Sequence, residues 1–108
     1  MSTVMINETL IKKLTECATE CNRCLASCLE EEDVSMMARC IELDLDCAEI
    51  CNLTSAFLSR DSESTATLLP ICAEICRACA DECSKHDADH CLRCAQICND
   101  CAKMCEEN

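Results

Sequence analysis

A chain of 108 residues with 16 cysteines, a single aromatic residue and no glycine is long enough for one domain and one core. Its formal net charge of -12 repels nucleic acid and anionic lipid and favours cations as ligands. So high a cysteine fraction would suit a secreted disulfide scaffold, but such scaffolds are loop-rich and need glycine for their turns.

The opening stretch, "MSTVMINETLIKKL", has no basic leader, no apolar stretch of signal type and no small-residue cleavage site, and no apolar run approaches membrane-spanning length. A soluble cytosolic protein is expected. Cytosolic thiols stay reduced, which directs clustered cysteines toward metal binding or redox chemistry rather than cross-linking.

The first predicted helix, with Asn7 as its cap, turns Leu10, Leu14, Cys17, Cys21, Cys24 and Cys28 to one face. The second, capped by Asp33 or Ser35, carries Met36 or Met37, then Cys40, Leu43, Cys47, Cys51, Thr54 and Leu58. After the longest connector, around "SRDSEST", Ser64 caps a third helix bearing Leu69, Cys72, Cys76, Cys79 and Cys83, its stripe continuing to His86. Pro70 is expected to mark the start of regular helix there, or a kink. The fourth helix, capped by Asp87, carries Cys91, Cys94, Cys98, Cys101 and Cys105.

Connectors of about 4 to 8 residues make sequential helices antiparallel neighbours. The expected fold is all-α, an antiparallel up-down-up-down four-helix bundle with a cysteine-lined core, forming one metal-binding domain over residues 1–108. "CAEIC" at 47–51 and 72–76 and "CAQIC" at 94–98 suggest hairpins duplicated from one unit.

Cysteine as mere core filler fails on volume. Each Cys in a Leu position forfeits roughly two methylene equivalents at about 0.8 kcal/mol each. Over most of the stripe that loss exceeds a typical net stability of about 5 to 15 kcal/mol. Disulfides within a helix are excluded, because residues three or four apart have Cβ atoms about 5 to 6 Å apart and a disulfide needs about 3.5 to 4.5 Å. Iron-sulfur clusters take cysteines from tight loops, which this chain lacks.

A tube lined with soft ligands suits Cu(I), which thiolate selects and which accepts low coordination numbers. A pair such as Cys17 and Cys21, or Cys47 and Cys51, can grip one ion, with a third thiolate reaching in from a facing helix. One monovalent cation per thiolate also neutralises the buried charge, and bridging sulfurs imply a capacity on the order of 10 to 20 ions.

Antiparallel threading gathers Leu10, Leu14, Phe57, Leu58, Leu68, Leu69 and Met104 into an apolar plug at one end. It gathers Cys28, Met36, Met37, Cys40, Cys83, His86, His90 and Cys91 at the other, a mouth through which metal would pass. Met36, Met37, His86 and His90 are candidate ligands there.

The segments "CATECNRCLASC", "CIELDLDCAEIC", "CAEICRACADEC", "KHDADHC" and "CLRCAQICNDCAKMC" together resemble the cytosolic members of the four-helix-bundle copper storage proteins. The resemblance implies a homotetramer of bundles, each holding many Cu(I) ions on Cys17, Cys21, Cys24, Cys28, Cys40, Cys47, Cys51, Cys72, Cys76, Cys79, Cys83, Cys91, Cys94, Cys98, Cys101 and Cys105. Ile41, Leu45, Ile71, Ile75 and Ile97 would either form the outer interface or widen the inner face.

The expected function is therefore non-enzymatic storage and detoxification of Cu(I), with copper donor or acceptor proteins as possible partners and no nucleic acid or membrane. A metallothionein-like zinc or cadmium buffer is the alternative. A thiol oxidoreductase using Cys21/Cys24, Cys76/Cys79, Cys91/Cys94 or Cys98/Cys101 is disfavoured, because such enzymes expose one CxxC at a helix N-terminus, whereas these pairs lie mostly mid-helix and come in many copies.

Overall fold

Four helices follow one another: α1 (Thr3–Cys28), α2 (Ala38–Ser59), α3 (Thr65–Cys83) and α4 (Asp89–Glu106), with a 3₁₀ turn at Val34–Met37 ahead of α2. The structure, a computed structural model, describes residues 3–108, with side chains from Asn7 onward. Helix α1 packs on α2 and α4, and α3 packs on the same two.

Neighbours run antiparallel, as thiol pairs show. Cys17 meets Cys47 while Cys28 meets Cys40 across α1 and α2. Cys40 meets Cys83 while Cys51 meets Cys72 across α2 and α3. The result is the expected up-down-up-down bundle, 47 × 21 × 17 Å. Among the described residues no helix is long and apolar enough to cross a membrane.

All sixteen cysteines are buried, and the volume they fail to fill is met by bringing the helices closer. Ala18, Ala48, Ala73, Ala80, Ala95 and Ala102, each directly after a stripe cysteine, are buried as well. A methyl beside these six thiols lets backbones approach closely, which reduces the void that small residues otherwise leave.

Several helix ends differ from expectation. Asn7 lies inside α1 rather than capping it. Ser35 Oγ donates to Asp33 Oδ1 at 2.6 Å, with Asp33 at the N-cap of the 3₁₀ turn and Ser35 within it, so α2 starts only at Ala38. Ser64 and Ala88 stand at the caps of α3 and α4 without a side-chain cap bond, and Asp89 rather than Asp87 supplies the acidic first turn of α4.

Helix α3 runs through Pro70 from Thr65. The proline is exposed, where water can take the carbonyl its missing N–H leaves free. The longest connector is residues 29–37, between α1 and α2, not the one after α2.

That second connector shows how a glycine-free chain stops a helix. Asp61 adopts φ 54°, Ser62 N–H donates to Phe57 C=O at 3.0 Å and Asp61 N–H donates to Leu58 C=O at 3.0 Å. This is a Schellman motif with aspartate in the left-handed position usually given to glycine.

Near this connector Leu10, Leu14 and Leu58 are buried, with Leu69 and Met104 packed against the core. Phe57 stays half-buried, its ring under the Arg60 guanidinium at 5.1 Å.

Candidate metal centre

The thiols form a continuous column. Beginning near the 29–37 connector, Cys24, Cys28, Cys40 and Cys91 make one group, and Cys24, Cys40, Cys83 and Asp44 the next. Below them come Cys21, Cys79, Cys94 and Cys98, then Cys17, Cys21, Cys47 and Cys98, then Cys17, Cys51, Cys76 and Cys101, each group having its ligand atoms within 4.8 Å of one another. Cys24 and Cys40 are common to the first two groups, and Cys17, Cys21 and Cys98 link the last three, while between the second and third no sulfur is shared and Asp44, in contact with Cys83, Cys79 and Cys94, joins the two stretches.

The contacts are close. Cys40 and Cys83 approach to 3.3 Å, Cys47 and Cys76 to 3.6 Å, and Cys21 and Cys98 to 3.6 Å. Pairs within one helix fall at the long end of the same range, with Cys94 and Cys98 at 3.8 Å, Cys24 and Cys28 at 3.9 Å and Cys47 and Cys51 at 4.0 Å. All sixteen thiols are free. Soft ligands at such separations, overlapping from group to group, suit low-coordinate monovalent ions bridged by shared thiolates.

Asp44 is a member of this column that the predicted stripe omitted. It is fully buried. It accepts hydrogen bonds from Cys79 at 3.3 Å and Cys94 at 3.4 Å, with Cys83 and Cys40 at 3.8 and 3.9 Å. Burial, followed by the negative charge available at Cys94, Cys79 and Cys40, raises its pKa to about 10.

The signal for it was present in the sequence. Cys40, Asp44, Cys47 and Cys51 step by 4, 3 and 4 residues, matching "CAEICRACADEC", whereas Leu43 sits one residue off that stripe at its edge.

At the mouth, His90 Nε2–H donates to Glu31 Oε1 at 3.0 Å. Its Nδ1 faces Cys24 Sγ at 3.4 Å and Cys91 Sγ at 3.5 Å. Glu31 thus fixes the tautomer that leaves the Nδ1 lone pair turned toward two thiols, the arrangement by which a carboxylate orients a metal-binding imidazole. Burial, then the neighbouring Cys40, pushes the Cys91 thiol up to about 12, and Cys28 shifts upward for the same reasons. These thiols are protonated near neutrality, so an incoming cation displaces protons as it binds.

The other mouth candidates divide. His86 Nε2 bonds Glu82 one turn back at 3.0 Å, as His90 bonds Glu31, but the thiol contacts at Nδ1 belong to His90. Met37 is buried in the core cluster, while Met36 is 69% exposed. At the far end of the molecule a cleft of about 560 Å³ beside the α2–α3 connector is lined in part by Leu58, Thr65, Leu69 and Cys105.

Outside the column, Ile41, Ile75 and Ile97 pack half-buried against the core, whereas Leu45 and Ile71 are each 42% exposed. The first three therefore widen the inner face, and the last two lie on the outer surface.

Comparison with known proteins places this geometry. A curated relative, the cysteine-rich protein YhjQ of Bacillus subtilis, is 41% identical over 85 residues, 79% of each chain. The Cu(I)-bound copper storage protein BsCsp3 is 40% identical, covers 94% of this chain and 96% of its own, and superposes with a TM-score of 0.91. The cytosolic copper storage protein Ccsp of Streptomyces lividans, in a structure with five coppers, is 37% identical over 95% of this chain and 91% of its own at a TM-score of 0.92, and it is also known loaded with 10 copper equivalents. The family model for copper storage proteins spans residues 5–108, which takes in every thiol of the column and all four helices but for the first two residues of α1, and the chain belongs to that family.

Proposed function

We propose that this protein stores Cu(I) in the cytosol, as many ions bridged by thiolates along its lumen, and so protects other sites from the metal. The observation that carries the reading is the sharing of sulfurs among the two groups at the mouth and again among the three below them. Shared sulfur favours a polynuclear column over a few isolated sites, and it supports a capacity on the order of 10 to 20 ions.

The sixteen cysteines are the principal ligands. His90, oriented by Glu31, receives metal at the mouth together with Cys24 and Cys91. Met37 lines the approach, with Met36 and His86 at its rim. The working unit is one domain over residues 1–108 with no catalytic role, since no CxxC pair is set apart from the others as an exposed nucleophile. Exposed Leu45 and Ile71 support association into the homotetramer that the sequence resemblance implies.

The test is an anaerobic titration of the reduced protein with Cu(I) against a chromophoric chelator, with zinc in parallel. Tight uptake of many Cu(I) per chain with little zinc is expected. Stoichiometric zinc at four thiols per ion would favour the zinc buffer instead, and uptake of one or two Cu(I) would overturn storage.

A further inference from the structure

The connector between α1 and α2 is unusual in what it leaves in solvent. Leu29 is 57% exposed, Val34 37% and Met36 69%, so three large apolar side chains stand uncovered within eight residues. Between the first two runs "EEED", and Glu30, Glu32 and Asp33 are all exposed. The fourth acid, Glu31, turns inward to hold His90, which touches Cys24 and Cys91. An uncovered apolar and acidic surface is therefore two hydrogen bonds, through His90, from the first thiols of the column.

We propose that residues 29–36 are the docking platform for a Cu(I)-carrying partner protein whose own thiolate site is rimmed by lysine or arginine. The proposal rests on the storage reading above.

Chemistry requires contact. Cys24 is 1% exposed and Cys91 fully buried, so an ion held by another protein's thiolates reaches them only when the two surfaces meet. His90 Nδ1 and the sulfurs of Cys24 and Cys91 then form bonds to Cu(I) as the donor's Cu–S bonds break. The protons leaving these thiols pass to the donor's freed thiolates or to water, and the metal stays monovalent throughout.

Charge selects the occupant. A second copy meeting this surface through a two-fold axis would set the acidic run against itself, and like charges juxtaposed across an interface disfavour the contact. A basic rim complements the run, while the apolar side chains supply the contact that charge alone does not. Steering of this kind acts on the association rate and is screened by salt.

The probe is a Cu(I)-loaded CxxC carrier domain with lysines around its site, compared with the Cu(I) complex of bathocuproine disulfonate, a small anionic chelate. The variants are E30K/E32K and L29S/V34S, which leave Glu31 and the column intact.

Transfer from the carrier is expected to slow by about tenfold in E30K/E32K and to lose most of its salt dependence, while loading from the chelate is unchanged or faster. L29S/V34S is expected to slow transfer from the carrier alone, and exchanging two rim lysines of the carrier for glutamate should restore its rate with E30K/E32K. Equal slowing from both donors, or an unchanged rate from the carrier, would overturn the platform. So would a lower oligomeric mass in L29S/V34S, which would assign the surface to a second copy. Failure of the wild-type protein to take copper from either donor would sink the storage reading and this proposal with it.

Discussion

The two ends of the bundle solve opposite problems with similar helices. Where α1 begins, Leu10 and Leu14 fill the space between helices with hydrocarbon and bury almost completely. Where α1 ends, the corresponding space holds Cys24, Cys28, Cys40 and Cys91 with an imidazole beside them. One end gains its cohesion from apolar burial whether or not metal is present. The other leaves soft, protonated ligands in contact, and its full cohesion awaits an ion that binds only the folded arrangement. Stability and reactivity are thus separated along a single axis.

That separation can be broken most forcefully at Leu14. Leu14→Ala removes a fully buried side chain and should cost about 2 to 5 kcal/mol in the apo-protein, read by denaturant unfolding, while the rate of Cu(I) loading at the mouth stays near wild type. A variant that loaded tenfold more slowly without unfolding would show that the two ends are coupled.

The middle of the column sharpens the contrast through pH. The folded pKa of Asp44, about 10, lies above its ordinary 3.8, so the folded state keeps a proton that the unfolded state has lost. Its contribution to stability therefore declines as pH rises between those values, by no more than about 1.4 kcal/mol per pH unit. Apo-protein stability measured from pH 5 to 8 should fall with pH, and Asp44→Asn should flatten the slope. An identical slope in the variant would mean that Asp44 keeps its ordinary ionisation.

The smallest expected effect is kinetic. His90→Ala should slow loading by about tenfold, roughly 1.4 kcal/mol in barrier, with final capacity unchanged, and Glu31→Gln should slow it less. His86→Ala should load close to the wild-type rate, because among the described residues it is His90 whose Nδ1 meets thiols, while the contact of His86 is to Glu82. Stopped-flow loading with Cu(I) distinguishes the three, and equal slowing by His86→Ala and His90→Ala would erase the distinction between rim and mouth.

Most of this architecture is legible in the sequence because cysteine here occupies the positions that leucine holds in other bundles, so helical periodicity and ligand identity are written in the same residues. The stripes of α1, α3 and α4 are found directly. The stripe of α2 goes astray at one residue, because an aspartate among thiols reads as a surface residue until its spacing from Cys40 and Cys47 is counted. Glu31 is hidden for another reason. It lies among three other acids, and only the path of the connector decides which of the four turns toward His90. The helix ends were hardest to read, since Asn7 and Asp33 have capping chemistry but the backbone does not need them there, and Asp61 takes a conformation that sequence rules assign first to glycine.

Because Cys24 and Cys40 link the two groups at the mouth, and Cys17, Cys21 and Cys98 the three below, the column is a route as well as a reservoir. Within each stretch an ion can release one sulfur while holding another and arrive in the next group without ever being bare, and at the one step with no shared sulfur the Asp44 carboxyl stands between Cys83 and the pair Cys79 and Cys94. Passage inward is then a relay of single bond exchanges, with no large opening of the helices. Adding an ion at the mouth can push those already inside one place deeper, and withdrawing one can draw the rest back.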